Sequence, residues 1–385
     1  MAFALPTPMR ALHHSPAGVR ALFLAAGALF ATWGVHVPTV KVHHGVGEQA
    51  LGLAMLAMGV GACLGLTQAG RLIGRWGPRT VLWVAAVISP MTLAFLLIGH
   101  AYALVVAMVF TFGLVSSTFD VAMNVAATDL ERQSRRPVMS GFHGMFSAGG
   151  MVGAGFGALA LQAGMTPLHH LWLSCAVCLL LGCWGASQVQ SGCEGDGGAA
   201  SFTVGGGALA FMGVLAALGL LCEGAMYDWS VLYLRQEQGA APGQAAWAYA
   251  SFSGAMAAGR FGGDWVRARL DAGVLLRGSA LLAACGMGVA LGAPGAFWAL
   301  IGFALVGLGL ANVVPLLFVA AGRVPGVSPA HGIAVVSAMG YLGMMGGPAL
   351  IGVVAQAYSL KVALAQVVLF ALILAAASRR ALAGP

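Results

Sequence analysis

Along this chain, apolar runs of about 20 residues recur with short polar interruptions, the length a helix needs to cross the hydrocarbon of a bilayer. Gly, Pro and charged residues between the runs mark out twelve helices, at 18–40, 49–69, 80–99, 103–127, 138–162, 169–188, 205–234, 245–264, 274–293, 296–320, 331–356 and 362–378. The fold class this predicts is an all-α membrane protein. The segment from Arg10 to Trp33 has the basic flank and apolar middle of a signal peptide, but nothing soluble follows it, so it reads as the first span.

Composition agrees with the pattern. Sixty per cent of residues are hydrophobic and 8% are charged, against roughly 25% charged in a soluble domain; mean hydropathy is +0.90. The net charge of +7 would suggest nucleic acid in a soluble chain. Here the placement of the bases explains it without a nucleic-acid partner. With an even span count both termini share a face, and 15 of the 18 Lys and Arg residues fall on that face. Only Lys41, Arg235 and Lys361 fall opposite. The bias predicts cytoplasmic termini and, in a bacterium, an inner-membrane location.

The seven cysteines sit almost all in apolar segments. Cys175 and Cys178 form a C-x-x-C that no second Cys or His cluster accompanies, so helix packing rather than metal binding is expected.

Residues 190–203, QSGCEGDGGAASFT, are small, polar and Gly-rich, and read as a cytoplasmic linker between six-helix bundles at 1–189 and 204–385. AGRLIGRW at 69–76 and AGRFGGDW at 258–265 share five of eight positions, 189 residues apart. The spacing indicates an internal duplication of half the chain. Parallel six-span repeats form a known transporter architecture with its site between the halves.

These residues resemble the major facilitator superfamily of secondary transporters. Residues 70–80, GRLIGRWGPRT, are similar to the superfamily's signature loop after the second span: Gly70, Arg75, Gly77 and Arg79 match, whereas Gly74 stands where the family usually has Asp. The second-half copy keeps Gly259, Arg260 and an acid, Asp264. With Arg71, these are the gating-loop residues the resemblance implies. DVAMN at 120–124, SGFHGMFSAGG at 140–150, EGAMYDWSVLYLR at 223–235, GLGLANVVPLLF at 307–318 and GYLGMMGGPALIG at 340–352 resemble a bacterial subgroup that includes a membrane protein associated with rhizopine biosynthesis. That resemblance implies alternating access and hints at a sugar-like or cyclitol-like solute. It also implies that the first, fourth, seventh and tenth helices line the central cavity.

Those helices carry most of the polar residues a lipid-facing surface would reject. Glu223 lies near the middle of the seventh span, where burial disfavours a charged carboxylate and makes it a candidate proton carrier; the alternative is a structural acid bonded to a neighbouring helix. The seventh helix is longer than one crossing needs, so a tilt or break is expected, and Asp228 either binds or faces outer water. Asp120 and His143 fall at similar depth on consecutive spans and can meet, as a relay or inner gate or else as a strut. Asn124 caps that cluster.

In the tenth span Asn312 suits a hydroxylated solute or bonds between helices, and Pro315 invites a kink. Trp33 stacks on a ring from the cavity wall or anchors at the interface, near His36; Tyr341 is a weaker candidate of the same kind. Gly149, Gly153 and Gly157, with Gly343 and Gly347, are spaced for close helix approach. They form the seam between the halves or pack within one half.

There is no G-x-x-x-x-G-K-[ST] loop, no sign of covalent chemistry, and no expected cofactor or metal. The chain reads as a transporter rather than an enzyme, acting as a monomer on a small-molecule substrate with protons, within the lipid bilayer. Competing readings are drug or metabolite efflux, and a sensor or assembly partner that does not transport.

Overall fold

The computed structural model describes residues 14–134, 138–190, 206–325, 327 and 329–382. The expected linker beyond Gln190, and with it Arg10, Arg135, Arg136 and Cys193, lies outside them. Twelve α-helices are found among the described residues: α1 (Pro16–His44), α2 (Glu48–Ala94), α3 (Tyr102–Ser134), α4 (Met139–Gln162), α5 (Pro167–Ser187), α6 (Gly206–Gln236), α7 (Pro242–Arg267), α8 (Ala272–Gly292), α9 (Ala296–Leu310), α10 (Val313–Ala321), α11 (Pro329–Ala357) and α12 (Leu360–Leu382). Among the described residues ten segments are long and apolar enough to cross a membrane, and α7 is not one of them.

The helices correspond to the expected spans with two differences. The second and third spans are one element, α2, whose 47 residues would measure about 70 Å if straight. Gly77 interrupts it with φ 77° and ψ 155°, a left-handed conformation that costs other residues a Cβ clash, and Pro78 follows. The helix therefore continues through Arg71, Arg75 and Trp76 and reverses at Gly77, rather than ending in a loop from Gly70. Conversely, the tenth span is two elements, α9 and α10, separated at Ala311 and Asn312. Pro315 explains the position of the break: it has no N–H, and its ring would crowd the carbonyl of Ala311 four residues back. No break occurs in α6, which runs through 31 residues.

Helix ends follow their sequence signals. Ser15 caps α1 by accepting from the Gly18 N–H at 3.4 Å, and α1 stops at Gly45 with φ 64°. Thr166 caps α5 ahead of Pro167, and the Asp271 carboxylate accepts from the N–H groups of Gly273 and Val274 at the start of α8. Glu131 accepts from the N–H groups of Val138 and Met139 at 2.8 and 2.9 Å, holding the turn from α3 into α4.

Within the first half, α1 packs on α4 and α5, and α2 on α3; within the second, α6 packs on α11, and α8 on α9 and α12. The halves meet where α4 packs on α7, α2 on α11 and α1 on α6. The glycine rows do not make this seam. Gly149 and Gly153 lie against Leu24 and Ala28 of α1, and Gly343 and Gly347 against Ala217 and Leu221 of α6, all inside one half. The seam uses other faces of the same two helices: Gly144 meets Phe261, Gly150 meets Ser253, and Gly352 meets Gly52. Large apolar side chains such as Leu180, 70% exposed, and Leu159, 59% exposed, line the outside, a surface suited to lipid.

Candidate functional site

A cavity of about 620 Å³ lies between the halves, walled by α1–α5 on one side and by α6, α7, α10 and α11 on the other. It extends to Met139, the first residue of α4, and Arg267, the last of α7. It therefore reaches the end of the molecule that carries Arg71, Arg75 and Arg79.

The opposite end is closed. Trp33 of α1 donates its indole N–H to Asp228 of α6 at 3.2 Å, both side chains buried. Further out, Lys41 pairs with Glu48 at 2.8 Å, and Gln236 donates to the same carboxylate at 3.0 Å. The close approaches of α2 to α11 run from Gly47 beside Gln356 to Cys63, whose thiol is 3.2 Å from the Met345 sulfur. Gly70 and Gly74, toward the basic end, meet nothing within 4 Å.

Glu223 faces the cavity and is not alone. Its carboxylate accepts from Arg260 of α7 at 2.9 Å, and the other arm of that guanidinium donates to Ser147 of α4 at 2.8 Å. Arg260 thus joins α6, α7 and the first half through one side chain. The sequence repeat pairs Arg260 with Arg71, but the two do different work: Arg71 is exposed and reaches Gln68 of its own helix. Arg260 lies within a helix that continues to Arg267, not in a loop. The side chain of Asp264 lies outside the described residues.

Asp120 and His143 both line the cavity, yet the expected contact between them is not made. The Asp120 carboxylate accepts from the Asn124 amide at 3.2 Å, and His143 sits edge-on to Phe23 with ring centres 5.5 Å apart. No ion pair joins them among the described residues. Asn124 does cap Asp120, also donating to its carbonyl at 2.9 Å. Asp228, expected either to bind or to face water, is buried and fixed by Trp33. Tyr341 lines the cavity.

Four candidates are not on the cavity wall: Asn124 and Trp33, whose bonds to Asp120 and Asp228 are given above, and two that fall elsewhere. His36 is fully buried against α5, 2.8 Å from a nitrogen of His170, which in turn meets Ser174 at 3.1 Å. Asn312 sits at the break before α10 and packs against Gly263. Neither lines the cavity. Sequence reading overlooked Tyr227, whose ring lines the cavity and whose buried hydroxyl lies beside Glu223 and Ser253 without a well-aligned hydrogen bond to either. It also overlooked Ser147 and His170. The only signal for Tyr227 was its position four residues after Glu223, one helical turn along the same face.

The family profile described as Major Facilitator Superfamily matches residues 20–332. The chain belongs to the major facilitator superfamily. An uncharacterized MFS-type transporter of Yersinia pestis is 37% identical, the match covering 94% of each chain. Membrane protein MosC of Rhizobium meliloti is 30% identical, covering 96% of this chain and 92% of that protein. Among solved structures, a mutant of the nucleoside transporter NupG superposes with a TM-score of 0.76 at 13% identity, covering 94% of this chain and 98% of that one. A bacterial homologue of the human lysosomal transporter Spinster gives 0.71 at 14%, covering 94% and 96%. At such identities the structural likeness speaks for the fold. As a member of this superfamily, the chain is a multi-pass membrane transporter, and membership implies a small-molecule substrate.

Among the described residues no group of His, Cys, Asp or Glu is placed to hold a metal ion. What the cavity offers is charge and hydrogen bonding: an acid bound to an amide, a second acid in an ion pair, and a third tied to an indole.

Proposed function

We propose that the protein is a proton-coupled secondary transporter that moves a small polar solute by alternating access. In this reading α2 supplies two crossings and α9 with α10 one, giving twelve spans with both termini in the cytoplasm of a bacterial inner membrane. The unit of transport is the monomer, and the conformation is inward-facing, its cavity reaching the basic end.

The observation that carries the reading is the cavity itself, walled by both halves and closed at one end by the Trp33–Asp228 bond. Ionisable groups inside a membrane are costly and mark transport pathways by default. Here they lie along one path, with Asp228 at the closed end and Asp120, His143 and the Glu223–Arg260 pair on the cavity wall. The sequence resemblance supports a sugar-like or cyclitol-like solute.

Coupling is tested in proteoliposomes with a trapped pH-sensitive dye and a panel of sugars, cyclitols, amino acids and organic cations. At least one solute is expected to drive proton flux, and Glu223→Gln to uncouple it. Unchanged coupling in that variant would remove Glu223 as the proton carrier. No flux with any solute would favour a non-transporting sensor.

A further inference from the structure

Resting on the transporter reading, we propose that His36 is a positioning residue for the seal at the closed end: through His170 of α5 it sets the rotation of α1 that aims Trp33 at Asp228. The turn of α1 that carries Trp33 and His36 is weak in its own backbone. Gly34 and Pro38 both lie inside the helix there. Pro38 has no N–H to offer the Gly34 carbonyl four residues back, and its ring crowds that carbonyl. Glycine at 34 adds backbone freedom, and nothing larger fits, since a Cβ would stand 2.5 Å from the Tyr249 ring of α7. The local hydrogen bonds of α1 are thus weakest where the direction of Trp33 is set, and neighbouring helices must supply what is missing.

Four consecutive residues of α1 face four helices. Trp33 bonds to Asp228 of α6, Gly34 lies against Tyr249 of α7 and Val35 against Gly157 of α4, and His36 stands 2.8 Å from His170 of α5. The first two contacts cross to the second half and the last two stay in the first, so both halves hold the same turn. Apolar contacts let a helix roll about its axis, whereas a hydrogen bond fixes its angle. Trp33 and His36 are three positions apart, about 60° around the helix and one turn along it, so a roll that breaks one bond displaces the other. When the seal opens, the contacts to α6 and α7 part. The contact to α5 stays within its own half and returns α1 to the same angle on closing.

The histidine contact is built for direction. Both rings are fully buried. At 2.8 Å one of the facing nitrogens carries the hydrogen and the other accepts it, so the two tautomers are locked together. His170 is held in turn: its Nε2 lies 3.1 Å from the Ser174 hydroxyl, and its ring packs on Phe156 with centres 5.3 Å apart. The remaining nitrogen of His36, Nδ1, has no hydrogen-bond partner among the described residues. A buried polar atom left in that state is costly, and an apolar side chain of similar size would fill the space without the cost. What imidazole adds is the angle of α1.

The test uses the full-length protein in proteoliposomes, with the native cysteines replaced and spin labels at Ile98 and Tyr358. Both are exposed and lie outside α1, and the segment of Ile98 is bonded to the outer end of α1 through His43 and His44. His36→Leu is expected to raise the ratio of open to closed populations about fivefold, the size of one neutral hydrogen bond. His36→Gln, whose amide reaches His170 as the imidazole Nε2 does, should stay near the parent. Trp33→Phe should open the seal by itself, and His36→Leu added to it should open it no further. A merely structural histidine would not produce that lack of additivity. His170→Leu is a second variant with the same expected outcome, should His36→Leu fold poorly. An unchanged ratio in both leucine variants overturns the proposal, as does a double variant whose shift is the sum of the single ones. Solute-driven proton flux tests the other level. Flux absent with every solute, but distances responding as expected, would sink the transporter reading and keep the positioning role. Flux in the unaltered protein, with distances unmoved by the leucine variants, would do the reverse.

Discussion

Trp33 and Asp228, 195 positions apart in the chain, are joined by a 3.2 Å hydrogen bond across the two halves of the molecule. Both are buried, and the bond lies where α1 meets α6, so the cavity ends there. Alternating access requires this contact to part whenever the end it seals opens.

Removing the donor should therefore favour the other conformation. Val42 and Tyr358 are 80% and 78% exposed, at the closed end of each half, and spin labels there would report the separation. Trp33→Phe is expected to shift the distance distribution toward longer values. An unchanged distribution would show that the bond does not hold the seal.

The seam between α2 and α11 can be locked as well. Cys63 of α2 lies 3.2 Å from the Met345 sulfur of α11. In a background with the other cysteines replaced, Met345→Cys is expected to crosslink to Cys63 under mild oxidation and stop transport, with recovery on reduction. Full transport by the crosslinked protein would contradict opening at this seam.

Arg260 makes Glu223 and Ser147 interdependent. Glu223→Gln leaves a largely buried guanidinium without its counter-ion, a change of the kind that costs about 3 kcal/mol or more. The double variant Glu223→Gln with Arg260→Gln removes both charges and should melt higher than the single variant. Equal melting temperatures would mean that the pair contributes little to the fold.

Glycine substitutions should divide sharply by position. A Cβ on Gly113 would collide with the Met58 carbonyl, where α3 crosses α2, whereas one on Gly74 would meet nothing within 4 Å. Gly113→Ala is expected to lose thermal stability, while Gly74→Asp, which supplies the acid usual in the superfamily, should fold as the parent does. Thermal melting of the two purified variants checks this, and a folded, fully stable Gly113→Ala would refute the packing.

How much of this is legible in the sequence depends on whether the determinant is local. Helix placement is legible because apolar length and end signals act along the chain. Ser15, Thr166 and Asp271 cap where they stand, and Pro315 places the break at Ala311 by its own geometry. The sequence reading puts the reversal at Gly77 a few residues early, since a glycine permits a turn at several points and only packing chooses one. The partner of Glu223 is hidden for a different reason. Arg260 looks like one more base at a helix end, and nothing local distinguishes it from Arg71.

The sequence by itself determined that the chain is a bundle of membrane-length helices with acids in places lipid cannot solvate. Hydrophobic length, helix period and the cost of buried charge are properties of consecutive residues. Only the tertiary structure decided which acids are neutralised and which are free. Asp120 and His143, near in sequence and alike in depth, do not meet, while Glu223 and Arg260, on neighbouring helices, do. Rotation of each helix about its axis sets those partners, and that rotation is fixed by packing against helices distant in the chain.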